Sequence, residues 1–361
     1  MAICHERNML LVTEFNMKQP IRPPDEGISK FSYHLSREMN SMSGVNHVIN
    51  IKPPIHYNSI IDTLSKLPSR LLLSRVTTRK IVTTRPELVM LLSNPVGTLD
   101  FIKSIVLRMH GIRKTVLLHL QPPKDQIFSK IQNLKFLNPE LVWVQSPKMK
   151  EQWENNNVKA LFLPSGVDLD EFKPLTSVRQ KHKLREKFGL SHDKLVILHV
   201  GHLRLGRNVK LLNQVANFDN TQVFLVTSKS QSHSKTILKE LDHRIVVVNE
   251  YLPQISEVYQ ASDIYIFPVN DEGSAIGFPL SILEALACNI PVISTYFGAL
   301  PYFFPQSNCV NYFKNTIEIF EIIKMIKKCI YLSPRKCVES FSWSDVARTI
   351  INKTSEALYD E

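Results

Sequence analysis

Residues 264–294, IYIFPVNDEGSAIGFPLSILEALACNIPVIS, decide the fold of this 361-residue chain. The stretch predicts a strand at 264–268, a helix at 280–287 and a second strand at 291–294, because two short apolar runs flank a run of helix-forming residues. A strand, a crossing helix and a strand form a parallel pair. The sequence therefore predicts the α/β class.

The same alternation extends in both directions from this stretch. Further strands are expected at 9–13, 115–120, 141–145, 195–200, 222–226 and 245–248, with helices at 28–39, 147–153 and 209–216. A charged and polar stretch at 173–191 separates the two series. We therefore predict an N-terminal domain over 1–175, a C-terminal domain over 176–340, and a final helix within 341–361 that packs back toward the N-terminal domain.

Composition excludes several classes of protein. A hydrophobic content of 43% with 21% charged residues is typical of a soluble globular protein. The longest apolar runs are of strand length, well below the ~20 residues that a membrane span needs, and the first residues do not resemble a signal peptide. The chain has five cysteines, an odd number, without metal-ligand spacing, which predicts reduced thiols and a cytoplasmic location.

Positive charge is concentrated in one segment. Between Lys66 and Lys150 the chain has 15 Lys or Arg against four acidic residues. The charge of this segment alone therefore equals the net charge of the whole chain, which is +11. Such a segment fits an anionic membrane surface, a phosphate-bearing acceptor or nucleic acid, and a solvated surface explains it equally well. Because no nucleic-acid recognition motif accompanies the charge, we expect no nucleic-acid partner.

The helix expected at 280–287 is the first candidate for a ligand site. Pro279 suits the first helical position, and Ser281 with Glu284 has the spacing of a capping box. The free N–H groups and positive dipole end of a helix start suit a diphosphate. Glu284, one turn inside, either accepts hydrogen bonds from ribose hydroxyls or only caps its helix.

The stretch from Glu272 to Thr295 resembles the donor-site signature of family 4 of the retaining glycosyltransferases. That signature is an acidic residue, a Gly-Phe-Gly-like loop, Leu-Glu-Ala-Met-Ala, a small residue and Pro-Val. Four further segments resemble the family in the right order. They are LPSGVDLDEFKP at 163–174, VGHLRLGRNVKLL at 200–212, VYQASDIYIFP at 258–268 and FSWSDVA at 341–347. Together the matches cover roughly residues 140 to 355.

The resemblance implies a fold and an activity. The fold is the GT-B architecture, in which two Rossmann-like domains face each other across a cleft. The activity is metal-independent transfer of a hexose-type sugar, with retention, from a uridine or guanosine diphosphate donor to a hydroxyl of a glycan or lipid-linked acceptor. No cofactor is implied beyond the donor substrate. The protein would be cytoplasmic, with peripheral attachment at the inner membrane face through the basic segment.

The resemblance also implies roles for single residues of the C-terminal half. Glu284 would hold the donor ribose, and the backbone amides of Gly277, Phe278 and Leu280 would contact the sugar and phosphate. His202 and Arg207 stand where the family has an Arg and a Lys on the diphosphate. Arg207 keeps the charge, whereas a neutral His202 offers a single donor and fits a structural role as well.

The most serious departure from the family is Ile276, which occupies the position of the family's first glutamate. Glu272 stands four residues after Pro268, so a loop expansion would return a carboxylate to the catalytic position. We favour Glu272 over Asp271 for this role, and loss of the carboxylate would affect catalysis more than binding.

Two residues of the N-terminal half are further candidates. Gly27 precedes a helix where the family has a glycine pair close to the donor phosphate, and simple helix entry is the alternative. His119 ends a strand where the family often places a histidine beside the transferred sugar. A core or loop histidine explains it equally.

Other functions fit parts of the sequence. Asp168-Leu-Asp170 has the form of a metal-binding Asp-x-Asp, but it lies in the 163–174 segment without an acidic cluster, and we interpret it as structural. No G-x-G-x-x-G follows a strand, which argues against a dehydrogenase. A nucleotide-sugar epimerase of the same fold and a non-catalytic nucleotide-sugar-binding homologue or partner subunit remain open, the latter because of Ile276 and His202.

Overall fold

The computed structural model describes residues 8–13, 27–42, 45–49, 75–93, 98–122, 138–227, 234–307, 309–328 and 333–359. These residues form two compact units. One unit lies within Met1–Pro164 and Trp343–Glu361, and the other is Ser165–Ser342. The predicted division after residue 175 thus differs from the observed one, because 165–174 packs with the second unit: the Ser165 hydroxyl donates to the Phe278 carbonyl at 2.7 Å.

Twelve strands are described. They are β1 Met9–Thr13, β2 Val45–Ile49, β3 Leu88–Ser93, β4 Lys114–His119, β5 Leu141–Val144, β6 Lys159–Phe162, β7 Leu195–Val200, β8 Thr221–Thr227, β9 Val246–Asn249, β10 Ile264–Phe267, β11 Val292–Ser294 and β12 Val310–Tyr312. All eight strands expected from the sequence are present, with ends that differ by one residue at most. No element was predicted between residues 56 and 96, where the structure has β3, while residues 51–74 lie outside the described part.

Twelve α-helices accompany the strands. They are α1 Gly27–Asn40, α2 Arg75–Thr84, α3 Thr98–Met109, α4 Pro147–Asn155, α5 Val178–Phe188, α6 Leu211–Val215, α7 Ser234–Lys239, α8 Ser256–Gln260, α9 Leu280–Ala287, α10 Leu300–Phe303, α11 Thr316–Lys328 and α12 Trp343–Tyr359, with 3₁₀ turns at Leu205–Arg207 and Pro334–Phe341. The helix expected at 209–216 is shorter, because the chain before it forms one of the 3₁₀ turns.

Each unit contains one parallel sheet. The strand order is β2-β1-β3-β4-β5-β6 in the first unit and β12-β11-β10-β7-β8-β9 in the second. The chain leaves β7 toward β8 on one side and later returns to β10 on the other. The order therefore reverses between β7 and β10, which is the topological switch point where ligands bind in open α/β sheets. The predicted α/β class is confirmed.

The second sheet is buried on both faces. Val196 and Leu198 belong to one apolar cluster and Ile197 to the cluster on the opposite face. The continuous apolar run of β7 is what a strand covered on both sides requires, because successive side chains point to opposite faces.

Helix α12 belongs to the first unit, where it packs on α1 and β5. The ring of Trp343 stacks on His34 of α1 with centroids 5.1 Å apart. Farther along, the buried indole N–H of Trp143 in β5 donates to the Thr354 hydroxyl at 3.0 Å. A buried indole N–H is costly without a partner, so this contact fixes the register of the helix on the sheet.

The basic segment is only partly a surface feature. In its described part, Arg79, Arg85, Arg113 and Lys148 are exposed. Lys103 is buried, Arg108 forms an ion pair with Glu140 at 2.9 Å, and Lys114 donates to the Leu358 carbonyl at 2.6 Å. Part of the excess charge therefore holds the first unit together.

Candidate active site

The candidate site lies at the carboxyl-terminal edge of the second sheet. The loop after β7, residues 201–210, and the loop after β10, residues 268–279, flank the switch point. Asp271 and Gly206 connect the two loops, since the Asp271 N–H lies 3.4 Å from the Gly206 carbonyl. The topology thus brings together the two segments that the sequence singled out separately.

Arg207 joins these loops through its side chain. Its Nε donates to the Ser274 carbonyl at 3.1 Å. Among the residues that the structure describes, no carboxylate forms an ion pair with its guanidinium. Burial lowers the pKa of Arg207 to about 10, with the nearby charge of Arg204 acting in the same direction. Arg207 is therefore a charged, half-buried donor that is available to an anion at neutral pH.

Neighbouring side chains occupy the space beside two glycines here. A Cβ on Gly206 would lie 2.2 Å from the Ser274 hydroxyl, and one on Gly201 would lie 2.3 Å from Nη1 of Arg207. Asp271 shapes the facing turn, because its carboxylate accepts from the Ser274 hydroxyl at 2.6 Å and from the Gly273 N–H at 3.1 Å. The Asp271 carboxylate is thus engaged within its own loop.

Helix α9 begins beside these loops, and its start corrects two predictions. Pro279 is the N-cap residue, with φ −66° and ψ 129°, rather than the first helical residue, and no side chain caps the helix. The expected capping box of Ser281 and Glu284 is wrong, because Ser281 lies inside the first turn. Its Oγ accepts a hydrogen bond from the Tyr265 hydroxyl at 2.7 Å. The first N–H groups of α9 therefore keep no side-chain cap.

Glu284 faces the interior of the second unit. It is 6% exposed, and its carboxylate accepts a hydrogen bond from the Tyr259 hydroxyl at 2.6 Å. Tyr259 is fully buried, and burial together with the charge of Glu284 raises its pKa well above the ordinary value. Tyr259 therefore remains a hydrogen-bond donor that holds the Glu284 carboxylate in one orientation.

The loop before α9 is braced from two sides. The Gly277 carbonyl accepts from the Ala299 N–H at 3.0 Å, and the Phe278 carbonyl accepts from the Ser165 hydroxyl at 2.7 Å. The Phe278 ring stacks on Phe303 with centroids 4.4 Å apart. Gly277 and Leu280 are both buried at this edge. Their predicted contacts with sugar and phosphate stay predictions.

The two predicted departures from the family lie in the same loops. Ile276 is buried at 5% exposure, so an apolar side chain fills the place of the family's glutamate. Glu272 is half-buried in the turn beside Asp271, and His202 is half-buried in the loop after β7. The catalytic role of Glu272 and the phosphate role of His202 stay predictions.

The candidates of the N-terminal half belong to the first unit. Gly27 is the exposed first residue of α1. His119, at the end of β4, is 0% exposed, and its ring meets the edge of Trp153 with centroids 5.6 Å apart. This burial favours packing as its role in the unit.

Asp168 is used by its own turn. Its carboxylate accepts hydrogen bonds from the N–H groups of Asp170 and Glu171, both at 3.0 Å. This agrees with the structural interpretation of the Asp-Leu-Asp sequence. Within the described residues, no group of three or more His, Cys, Asp or Glu side chains is arranged to hold a metal ion.

Sequence reasoning missed three polar residues that surround the predicted ones. His199 and Tyr265 lie on β7 and β10, and Tyr259 lies on α8. The signal was present, because a histidine within the apolar run LVILHV and a tyrosine within IYIF are buried polar groups that need a partner. Only the tertiary structure shows those partners, which are the Ile266 carbonyl of β10 for His199 and the Ser281 hydroxyl of α9 for Tyr265.

Comparison with known protein families finds a match over the same segments of the second unit. The family model described as glycosyl transferases group 1 matches residues 194–315, which contain β7 to β12 and every predicted donor-site residue of the second unit. Residues 194–315 are thus similar to the glycosyl transferases group 1. The resemblance predicted from the sequence is confirmed.

Proteins similar to this chain include a D-inositol 3-phosphate glycosyltransferase from Xylanimonas cellulosilytica, 30% identical over 150 residues. This alignment covers 38% of the chain and 35% of the relative. The chain therefore spans about a third of the length of that curated relative.

Solved structures are similar over nearly the whole chain. A glycosyltransferase from Rickettsia africae matches with a TM-score of 0.72 at 15% identity, and HepE from Anabaena in complex with UDP matches with a TM-score of 0.67 at 15% identity. The matches cover 98% and 97% of this chain and 100% of each of the other chains. At this level of identity the likeness shows the fold, which is that of the GT-B glycosyltransferases.

Proposed function

We propose that this protein is a retaining glycosyltransferase that transfers a hexose-type sugar from a uridine or guanosine diphosphate donor to a hydroxyl acceptor. The observation that carries the proposal is Arg207 at the switch point, a cation bound to a single carbonyl, next to a helix start without a side-chain cap. Such a pair of positive groups suits a diphosphate.

In this proposal the protein itself stabilises the leaving group. Arg207 and the α9 start oppose the negative charge that grows on the departing diphosphate, so no metal is required for that step. Glu284, oriented by Tyr259, accepts hydrogen bonds from the ribose hydroxyls. The acceptor hydroxyl attacks from the side of the leaving group, which preserves the anomeric configuration.

The donor site is tested by nucleotide binding without divalent metal. We expect one donor of a uridine and guanosine diphosphate sugar panel to raise the melting temperature and to be slowly hydrolysed. Arg207→Gln should weaken binding about 10- to 100-fold, since a hydrogen bond to a charged group contributes about 1.5–3 kcal/mol. Glu284→Ala should abolish both effects.

The matched control for Arg207→Gln is Lys210→Gln. Lys210 also follows β7 and carries the same charge, but it is exposed and forms an ion pair with Glu240 at 2.7 Å. Its loss should leave affinity within about twofold. Equal losses in the two variants would remove Arg207 from the donor site, and a protein that binds no donor would refute the proposed function.

A second candidate function is nucleotide-sugar binding without transfer. The burial of Ile276 where the family has a glutamate favours it. Firm donor binding without turnover, even with glycan and lipid-linked acceptors, would select this function. Restored turnover in Ile276→Glu would then identify the missing carboxylate as the cause.

For the acceptor side, we propose that exposed cations of the first unit attach the protein to an anionic surface at the cytoplasmic face of the membrane, near a lipid-linked acceptor. Arg79, Arg85, Arg113 and Lys148 are exposed there and support it. Among the described helices, none has the length and apolar character to cross a bilayer. Cosedimentation with phosphatidylserine vesicles at low salt, lost in Arg79→Glu/Arg113→Glu, is the expected result. No sedimentation of the wild type would refute it.

A further inference from the structure

His199 lies inside β7 and is 0% exposed. Its Nδ1 is 3.0 Å from the Ile266 carbonyl of β10. Because a carbonyl only accepts hydrogen bonds, Nδ1 carries the proton and Nε2 of the neutral ring carries a lone pair. Burial lowers the pKa of His199 to about 4, and the charge of Arg207 acts in the same direction, so the ring is neutral at pH 7.

The Nε2 lone pair points toward the candidate site. Within the described part of the chain, Nε2 is buried and accepts no hydrogen bond. A Cβ on Gly201 would lie 3.3 Å from Nε2 and 2.3 Å from Nη1 of Arg207. The acceptor of His199 and the guanidinium of Arg207 therefore border the same small space, which a glycine leaves open.

The two side chains complement each other chemically. Arg207 donates from Nε to the Ser274 carbonyl, and its Nη groups donate to no acceptor among the described residues. A buried acceptor without a donor thus lies beside a cation with unused donors. We propose that His199 is a positioning residue: a small movement of the guanidinium lets Nη1 of Arg207 donate to Nε2 of His199, which fixes the guanidinium plane for the donor diphosphate. This inference rests on the proposed function.

A fixed plane matters because guanidinium binds phosphate oxygens through a planar fork of N–H groups. With Nε on Ser274 and Nη1 on His199, the remaining N–H groups are directed at one oriented anion. Tyr265 extends the arrangement. Its ring lies beside His199 with centroids 6.4 Å apart, and its hydroxyl donates to Ser281 in the first turn of α9. One buried layer therefore supports both positive elements of the site.

The test is a double-mutant cycle on UDP and GDP binding, measured by calorimetry without metal. His199→Phe keeps a planar ring and removes both nitrogens, and we expect it to raise Kd about tenfold. In the Arg207→Gln background the same change should raise Kd by less than twofold, because the guanidinium it positions is gone. Ile197→Val, which loses one methyl group on the same strand, should leave Kd unchanged and controls for a general loss of stability.

Wild-type affinity in His199→Phe, or an undiminished effect in the Arg207→Gln background, would overturn the inference. A readout without nucleotide separates this failure from that of the proposed function. In ¹⁵N-histidine NMR, the His199 resonances should report a neutral ring protonated at Nδ1, with an Nε2 signal that moves in Arg207→Gln. An Nε2 signal indifferent to Arg207 would refute the contact. A moving signal in a protein that binds no nucleotide would refute only the proposed function.

Discussion

Gly298 offers a sharp test of how the donor loop is held. It follows β11 with a φ of +52°. A Cβ there would lie 2.0 Å from the Gly277 carbonyl oxygen and 2.7 Å from the Gly277 Cα. Both neighbours are backbone atoms of the loop that leads into α9, so no side-chain rotation relieves the overlap.

The cost of Gly298→Ala has two parts. A left-handed backbone costs a non-glycine residue about 1–2 kcal/mol. Overpacking against a fixed neighbour adds about 1–3 kcal/mol. Gly189 isolates the first part, because its φ is +66° and a Cβ there meets no atom within 4 Å. Both glycines lie in the second unit.

The assay is thermal unfolding of Gly298→Ala and Gly189→Ala side by side. At about 2–4 °C per kcal/mol for a unit of this size, Gly298→Ala should melt about 2–12 °C below Gly189→Ala. We also expect Gly298→Ala alone to weaken nucleotide binding, because Gly277 must shift. Equal melting temperatures with unchanged binding would show that the loop is not held by this contact.

Three further predictions concern stability. In urea unfolding, Arg185→Met should destabilise the second unit by about 3 kcal/mol, because the buried Arg185 donates to Asp263 at 2.6 Å and to the Ala261 carbonyl at 3.0 Å. The control Lys324→Met, at an exposed position, should change stability by less than about 0.5 kcal/mol. Thr354→Val should destabilise the first unit by about 1–3 kcal/mol, because it removes the acceptor of the Trp143 indole N–H. A similar loss of stability in Thr83→Val, at an exposed position, would contradict this reason. Because the folded-state pKa of His199 is about 4 against an ordinary 6.5, only the unfolded chain takes up its proton as the pH falls from 7 to 4. Wild type should therefore lose about 3 kcal/mol relative to His199→Phe over that range, and parallel pH profiles would refute the neutral buried ring.

Much of the fold followed from local pattern. Leu195–Val200 and Leu280–Ala287 have the predicted bounds, because a short run apolar on both faces and a run of strong helix formers each leave one stable conformation. Helix starts were less predictable. Ser146 and Pro147 do open α4, but Ser281 and Glu284 do not form a capping box, because Tyr265 and Tyr259 engage them instead.

The sequence by itself determined the alternation of strands and helices, and the candidate residues Arg207 and Glu284, because these depend on short-range pattern and motif spacing. Only the tertiary structure decided which polar groups meet. Arg207 finds Ser274 across 67 positions of sequence, and His199 finds Ile266 across the same separation. Partners this distant are set by the order β10-β7-β8 in the sheet, and strand order is a property of the whole packed unit rather than of any segment.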